Sequence, residues 1–514
     1  MSDTLTHRTI KNSIYSIVGF VWPLLLSFVA TPIIIHGLGS AKFGFFSLLN
    51  TMLGVFGLLD FGISYTLVKK LSENRESPGE ALAIFSSTFI LYAVLGVVVL
   101  FLFMLLPGVF RNWFKIPEGY ISSFGLAFLI LGLVFLINML IVPLSQIPYA
   151  LQRTDITVKI SLTSITLQQL ASIIAIKMGY GILALLVIQL ASVAFLLLCF
   201  FFSWRRLVPD LKIKFAISRD SMGVIGKQGF WVFVNNVMGN ILGQMDKFVV
   251  SAFWGPAAVG YYATAQMAPE KIYSTSFSLS HLFFPIFSEA ASKQQAGVDR
   301  VKFIFRRAMN IIPVITFGLT VVVLAYGYQL IRFWVSKDFA DHDAWAIILL
   351  AITYFLLSFG SFFNAFLSGV KALKFLAVSS VITAMTDVVF MFIFIPKHSI
   401  NGASLAYLIS GLPVVAYLYF IERRYFHSGR SEIVSFYGKL LTKVILVGGI
   451  IYLIAAAILR HFVTNLFFVM LIGGTTFLLY IFVYWLLGFA GEDDISVVKR
   501  YIGIIFRRLT GKSA

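Results

Sequence analysis

Fourteen apolar stretches cross this chain, and the Lys and Arg residues between them fall in alternate gaps. An apolar run of about twenty residues can span a bilayer as a helix, and positively charged gaps stay on the cytoplasmic side. The spans read 14–35, 43–68, 82–106, 120–148, 156–176, 180–202, 228–253, 257–288, 306–324, 345–369, 375–395, 400–421, 440–459 and 466–487. With the N-terminus and every second gap in the cytoplasm, that side holds 30 of the 40 Lys and Arg, among them Arg205, Arg206, Lys212, Lys214, Arg219 and Lys227 in the sixth gap. The opposite side holds eight: Lys42, Arg111, Lys115, Lys177, Arg332, Lys337, Lys397 and Arg460. Lys247 and Lys271 lie inside spans. This asymmetry predicts cytoplasmic termini at both ends. An odd span count would scramble the alternation, so the pattern predicts fourteen.

Composition excludes the soluble classes. Hydrophobic residues make 59% of the chain and charged residues 12%, with a mean hydropathy of +0.92, so most of the surface meets lipid. The net charge of +18 sits in short gaps beside apolar spans, where it answers to membrane potential and anionic headgroups rather than to nucleic acid. Cys199 is the single cysteine, which rules out an internal disulfide or a cysteine-based metal cluster. No cofactor is expected. The polar stretch Ser2 to Ser13, followed by an apolar run too long for a signal core, predicts an uncleaved first span. Gly511-Lys512-Ser513 lacks the first glycine and the preceding strand of a P-loop, and no H-E-x-x-H or G-x-S-x-G occurs. The outside gaps are too short for a soluble domain. Cytoplasmic gaps at 203–227, 289–305 and 422–439 are each expected to form a short surface helix.

An internal repeat organises the spans. Gly39-Ser40-Ala41-Lys42-Phe43-Gly44-Phe45-Phe46-Ser47 and Gly255-Pro256-Ala257-Ala258-Val259-Gly260-Tyr261-Tyr262-Ala263 share the pattern G-x-A-x-x-G-aromatic-aromatic-small at an offset of 216 residues. Arg153 echoes Lys371 at 218, and Gly181 echoes Gly402 at 221. The shift equals six spans, an even number, so the halves keep one orientation. That predicts parallel repeats about an axis along the membrane normal, with a site between them and spans 13 and 14 as an appendix.

The same residues carry a family resemblance. Gln244-Met245-Asp246-Lys247 with Gly255 to Tyr262 resembles the span 7–8 signature of bacterial polysaccharide flippases, Leu58-Leu59-Asp60-Phe61-Gly62-Ile63 resembles their span 2 motif, and Gly39 to Gly44 their first turn. With its fourteen-span layout, the whole chain resembles the O-antigen and exopolysaccharide flippases of the multidrug/oligosaccharidyl-lipid/polysaccharide (MOP) exporter superfamily. The resemblance implies an all-α polytopic membrane protein with two parallel six-helix lobes around a central cavity, opening alternately to each side. The expected divisions are a first lobe at 1–203, a cytoplasmic connector at 204–227, a second lobe at 228–424, helices 13–14 with their preceding loop at 425–488, and a cytoplasmic tail at 489–514. The implied cargo is polyprenyl-diphosphate-linked oligosaccharide, moved in the bacterial inner membrane with suspected ion coupling. Membrane lipids and polysaccharide polymerase machinery are the expected partners, and no enzymatic activity is expected.

Charges within spans are disfavoured by about 2.5–3.5 kcal/mol and therefore point into a bundle or a wet cavity. The interior set is Asp60, Asp246, Lys247, Glu270, Lys271 and Asp387, with His281 near one end of span 8. Asn236, Asn240, Gln244 and Lys247 share one helical stripe on span 7. Gln266, Glu270, Ser274 and His281 form another on span 8, and Pro269 predicts a kink beside Glu270 and Lys271. In one reading Lys247 and Lys271 meet diphosphate oxygens, Asn236, Asn240, Gln244 and Gln266 meet sugar hydroxyls, and Glu270, Asp387 or Asp60 couples an ion. In the other, Asp246 and Glu270 neutralise nearby lysines and hold helices together, with Asp60 and Asp246 structural. Trp22, Trp231 and Tyr273 could stack on sugars, although Trp and Tyr more often anchor the interfaces.

Two other functions fit parts of the pattern. A multidrug or cation antiporter of the same superfamily would favour an acidic, aromatic pocket over paired lysines. A membrane-embedded polymerase would need a large outside loop rich in Arg and His, which this chain lacks.

Overall fold

The computed structural model describes residues 2–57, 63–64, 67–68, 71, 78–113, 121–151, 153–209, 219–292, 298–370 and 372–489. Every regular element among the described residues is helical. Backbone groups inside lipid have no water to bond, and a helix satisfies them within its own segment. The helices are α1 (Ser2–Phe56), α2 (Pro78–Trp113), α3 (Ile121–Ala150), α4 (Thr154–Lys177), α5 (Ile182–Leu207), α6 (Arg219–Trp254), α7 (Pro256–Met267), α8 (Glu270–Ser292), α9 (Val298–Trp334), α10 (Lys337–Gly369), α11 (Leu373–Gly411), α12 (Pro413–Tyr425), α13 (Arg430–Ala457) and α14 (Leu466–Leu486).

Ten helical stretches, from Val21–Phe56 to Leu466–Leu486, are long and apolar enough to cross a membrane. The fourteen expected spans are not all recovered by that measure, for two reasons. Val21–Phe56 and Leu373–Tyr425 each carry two expected spans, joined at turns where Gly39 (φ 74°) and Ser399 (φ 51°) leave the right-handed region. The other reason lies in α6, which is rich in polar residues, and in expected span 8, which is split into α7, only 12 residues long, and α8.

The chain divides into two compact units, Met1–Gly260 and Tyr261–Ala514. In the first, α2 packs on α3, α3 on α5, and α1 on α4. Its core is aromatic: Phe103 lies 5.0 Å from Phe56 and 6.1 Å from Phe128, ring centre to ring centre. In the second, α10 is the central helix and packs on α8, α9 and α11. A buried hydroxyl seam joins three of these. Ser276 donates to the Ser358 carbonyl at 2.7 Å and meets the Ser361 hydroxyl at 2.6 Å, and Thr316 meets the Ser358 hydroxyl at 3.3 Å. Small hydroxyl side chains let helices approach closely where lipid offers no hydrophobic drive between them.

The expected surface helices at 289–305 and 422–439 do not form as separate elements in the described residues. The basic stretches instead extend the spans: α9 begins at Val298 and α13 at Arg430. With 37 residues, α9 is about 55 Å long, well beyond a hydrocarbon core of about 30 Å. Its protruding end is held by charge. Arg306 donates Nε and Nη2 to the Glu422 carboxylate at 3.0 and 2.9 Å and Nη1 to Glu432 at 2.7 Å. Ser428 and Tyr437 donate to the same Glu422 carboxylate at 2.6 and 3.1 Å. Lys302 completes the cluster on Glu432 at 2.8 Å. Below it, Val444, Val447 and Ile451 of α13 pack with Val314, Val321 and Tyr480, so the appended helices dock on α9.

Glu422 is fully buried, so removing its partner strands a charge. Arg306→Ala is expected to destabilise the second unit by about 3–5 kcal/mol. Arg306→Ala combined with Glu422→Gln should recover part of that loss. The check is the monodisperse fraction after solubilisation, and an Arg306→Ala protein as stable as the parent would remove the clamp from this account.

Candidate functional site

The span 7 stripe forms on α6 as the spacing predicts. Lys247 Nζ donates to Gln244 Oε1 at 3.3 Å, and Asn240 donates to the Asn236 carbonyl at 3.3 Å one turn away. Asn236 is exposed, while Asn240, Gln244 and Lys247 are half-buried. Asp246 is buried, and its Oδ1 accepts the Lys247 backbone N–H at 2.7 Å. The Lys247 ammonium is thus held by an amide, and among the described residues it makes no ion pair.

The second unit holds the remaining described candidates. Residues Ala268 and Pro269 break the helix between α7 and α8, where the kink was expected. Glu270 opens α8, and Lys271 and Ile272 donate their N–H groups back to Ala268 and Pro269 at 3.1 and 3.0 Å. Glu270 and Lys271 are both exposed, and neither forms an ion pair among the described residues. Neighbours i and i+1 on a helix point apart, so mutual neutralisation is not their arrangement. Gln266 is buried on α7 and Asp387 is fully buried on α11. Tyr273 is half-buried in an aromatic run with Tyr354 and Tyr407. Trp22, by contrast, is exposed and donates Nε1 to Thr166 at 2.9 Å. Asp60, Lys371 and the His281 side chain lie outside the described residues. Arg153 pairs with Asp155 at 3.0 Å beside the first turn of α4.

The repeat shows in the backbone. Gly39 and Gly255, 216 residues apart, have φ of 74° and 80°, a region that glycine enters without penalty. Gly179 (φ 83°) and Ser399 (φ 51°), 220 apart, turn the chain between the later span pairs. Phe45 stacks on Phe124 at 5.6 Å in the first unit, and Tyr261 meets Phe339 at 4.8 Å in the second, again at offsets of 216 and 215.

Within the first unit the two motifs touch. A Cβ at Gly44 would overlap the Pro256 carbonyl oxygen, and a Cβ at Gly260 would overlap that of Ser40. Each glycine therefore faces the carbonyl four residues before the other. This reciprocity is the mark of a local two-fold relation.

Three polar features escape the sequence pattern. Asp343 on α10 is fully buried, and both its carboxylate oxygens lack a hydrogen-bond partner. It falls just outside the expected span 10, among gap residues. Gln189 on α5 donates to Asn50 on α1 at 3.1 Å, a pairing between residues 139 apart with no shared motif. The Arg306–Glu422 cluster reads in the sequence only as charges at span ends.

These elements define an all-helical, multi-pass membrane protein with a transporter fold. The lipid II flippase MurJ, in an inward closed conformation, superposes with a TM-score of 0.68 at 16% identity, over 92% of this chain and 98% of MurJ. A multidrug resistance MATE family transporter of the MOP superfamily, in its inward-facing conformation, matches at 0.63 and 14% identity, over 82% of this chain and 99% of that one. The chain belongs to the polysaccharide biosynthesis protein family, whose model matches residues 38–344. A putative O-antigen transporter of Shigella flexneri is 21% identical over 425 residues, covering 78% of this chain and 94% of that protein.

Proposed function

We propose that this chain is a flippase that carries polyprenyl-diphosphate-linked oligosaccharide, an O-antigen or exopolysaccharide repeat unit, from the cytoplasmic to the outer leaflet. The observation that carries this reading is the pair of ammonium groups, Lys247 and Lys271, on helices of a transporter fold with no carboxylate engaged to either among the described residues. A diphosphate concentrates negative charge in a low-dielectric path, and a lysine is a natural point-charge partner for it. Asn236, Asn240, Gln244 and Gln266 supply amides suited to sugar hydroxyls. Family membership and the Shigella relative support the same cargo class. In this reading the protein sits in the bacterial cytoplasmic membrane with both termini inside. It works by alternating access rather than by catalysis and delivers substrate to a polymerase at the outer face. Glu270, Asp387 and Asp60 are the acids proposed to couple an ion.

Reconstitution tests the proposal. Proteoliposomes should make a fluorescent lipid-linked oligosaccharide in the inner leaflet accessible to an external quencher faster than protein-free vesicles do. An imposed proton or sodium gradient should change that rate if the acids couple. Efflux of organic cations with no movement of the glycolipid would overturn the flippase reading in favour of an antiporter.

A further inference from the structure

A second basic site lies in the second unit and shares no lining residue with the cargo and coupling candidates named above. The last two turns of α9 and the short 3-10 turn Leu459–Phe462 after α13 border an open cavity of about 490 Å³. That volume falls within the range of about 300–1,000 Å³ usual for small-ligand sites. Arg332 and Arg460 line it, with His461 at its rim and Tyr328, Gln329 and Phe333 along its wall. Both arginines are exposed, and neither forms an ion pair among the described residues.

The local contacts fix these groups without neutralising them. Gln329 is buried, and with its amide oxygen turned to Arg460 it accepts from Nη2 at 3.0 Å and from Nε. This orients the Arg460 guanidinium while leaving its charge unmatched. Arg332 leans over the Phe333 ring at 5.4 Å. The neighbouring carboxylate, Asp341, accepts the Tyr328 hydroxyl at 2.6 Å rather than an arginine. The Arg332 fork and the outer Nη edge of Arg460, neither ion-paired with a carboxylate among the described residues, form a receptor for a multi-oxygen anion, because a guanidinium edge can donate two parallel N–H bonds.

The surroundings choose among anions. Phe462 in the turn and Ile458 and Phe467 flanking it are 63%, 56% and 68% exposed, so the segment that carries Arg460 and His461 also presents large apolar side chains at its surface, where a span ends. A freely soluble anion gains nothing from these apolar neighbours. A lipid can place its phosphate on the arginines and its glycerol and upper chains against those side chains. We infer that this cavity binds the phosphate group of an anionic lipid, in the leaflet that the charge asymmetry assigns to the outside. The site joins the end of α9 to the turn after α13 and does not depend on the identity of the cargo.

The test uses the full chain in phosphatidylcholine nanodiscs doped with phosphatidylglycerol, with retained lipid read by native mass spectrometry. Arg332→Gln with Arg460→Gln should weaken phosphatidylglycerol retention about tenfold, the effect expected from losing hydrogen bonds to a charged group. Arg332→Lys with Arg460→Lys, which keeps the charge and loses the paired N–H donors, should retain an intermediate amount. Lys397→Gln, an exposed cation on α11, should change nothing. Because the double glutamine variant removes both arginines from the turn region, His461→Glu gives an independent reading: it puts a negative charge at an exposed position lining the cavity and should also lower retention. Inorganic phosphate should not compete. Equal retention by wild type, the double glutamine variant and His461→Glu would overturn the proposal. So would full displacement of the lipid by inorganic phosphate, which would make this a soluble-anion site.

Discussion

Gly44→Ala and Gly260→Ala are each expected to lower glycan export about tenfold or more, a loss out of proportion to one methyl group. In most places an added methylene that overpacks a core costs about 1–3 kcal/mol, because side chains can shift to make room. Here the obstructing atoms are backbone: the Pro256 carbonyl faces Gly44 and the Ser40 carbonyl faces Gly260. Neither carbonyl can move without moving its helix. Both motifs also follow a left-handed glycine, Gly39 or Gly255, whose turn sets the entry angle of the next helix. Relief by rotation is therefore blocked from both ends. The local two-fold relation adds a sharper expectation, that the two variants should match each other in severity. Gly57→Ala, just past the end of the same helix, is the control, since a Cβ there meets nothing within 4 Å. Export measured in a strain lacking the chromosomal copy, normalised to membrane-inserted protein, separates lost function from lost expression. If Gly44→Ala exports like Gly57→Ala, the close approach has no part in transport.

What the sequence makes legible is what is local. Gly39 and Gly255 stand out because a left-handed turn selects glycine, and the same six-span interval separates their motifs. Span 7 can be read from its amide spacing because one helix carries all four residues, and Lys247 does meet Gln244 one turn back. Long-range partners leave no such trace. Arg306 finds Glu422 across 116 residues, so by pattern alone both look like ordinary charges at span ends. Arg332 and Arg460 likewise appear as two isolated exceptions to the positive-inside bias, and only folding brings them to one cavity. Asp343 is missed for a different reason. The hydropathy boundary falls two residues after it, yet α10 begins earlier, at Lys337, and buries the carboxyl in its second turn. The predicted surface helices fail on the same principle: once charges at helix ends find partners, a helix can continue past the apolar run that defines it in sequence.

The lysine pair gives the largest functional effect to be expected from a change of charge alone. Lys247→Ala and Lys271→Ala should each cut export of lipid-linked glycan by about tenfold, since a hydrogen bond to a charged group is worth about 1.5–3 kcal/mol. Neither substitution should reduce the amount of protein in the membrane. The structure makes that second statement sharper than the residue types could. Had Lys247 neutralised Asp246, removing it would strand a buried carboxylate and destabilise the helix. Instead Asp246 accepts the Lys247 backbone N–H, which alanine retains, and the ammonium loses only its bond to Gln244. Lys271 is exposed at the start of α8, where alanine costs little for helix formation. Arginine at either position should preserve more export than alanine, because charge at the diphosphate matters more than the shape of the donor. Gln244→Ala should fall between wild type and Lys247→Ala, as it frees the ammonium without removing it. The competing arrangement predicts that Lys247→Ala protein is degraded and that Asp246→Asn restores its level. Well-expressed Lys247→Ala and Lys271→Ala proteins that export normally would eliminate both residues as diphosphate ligands and leave the cargo held by amides alone.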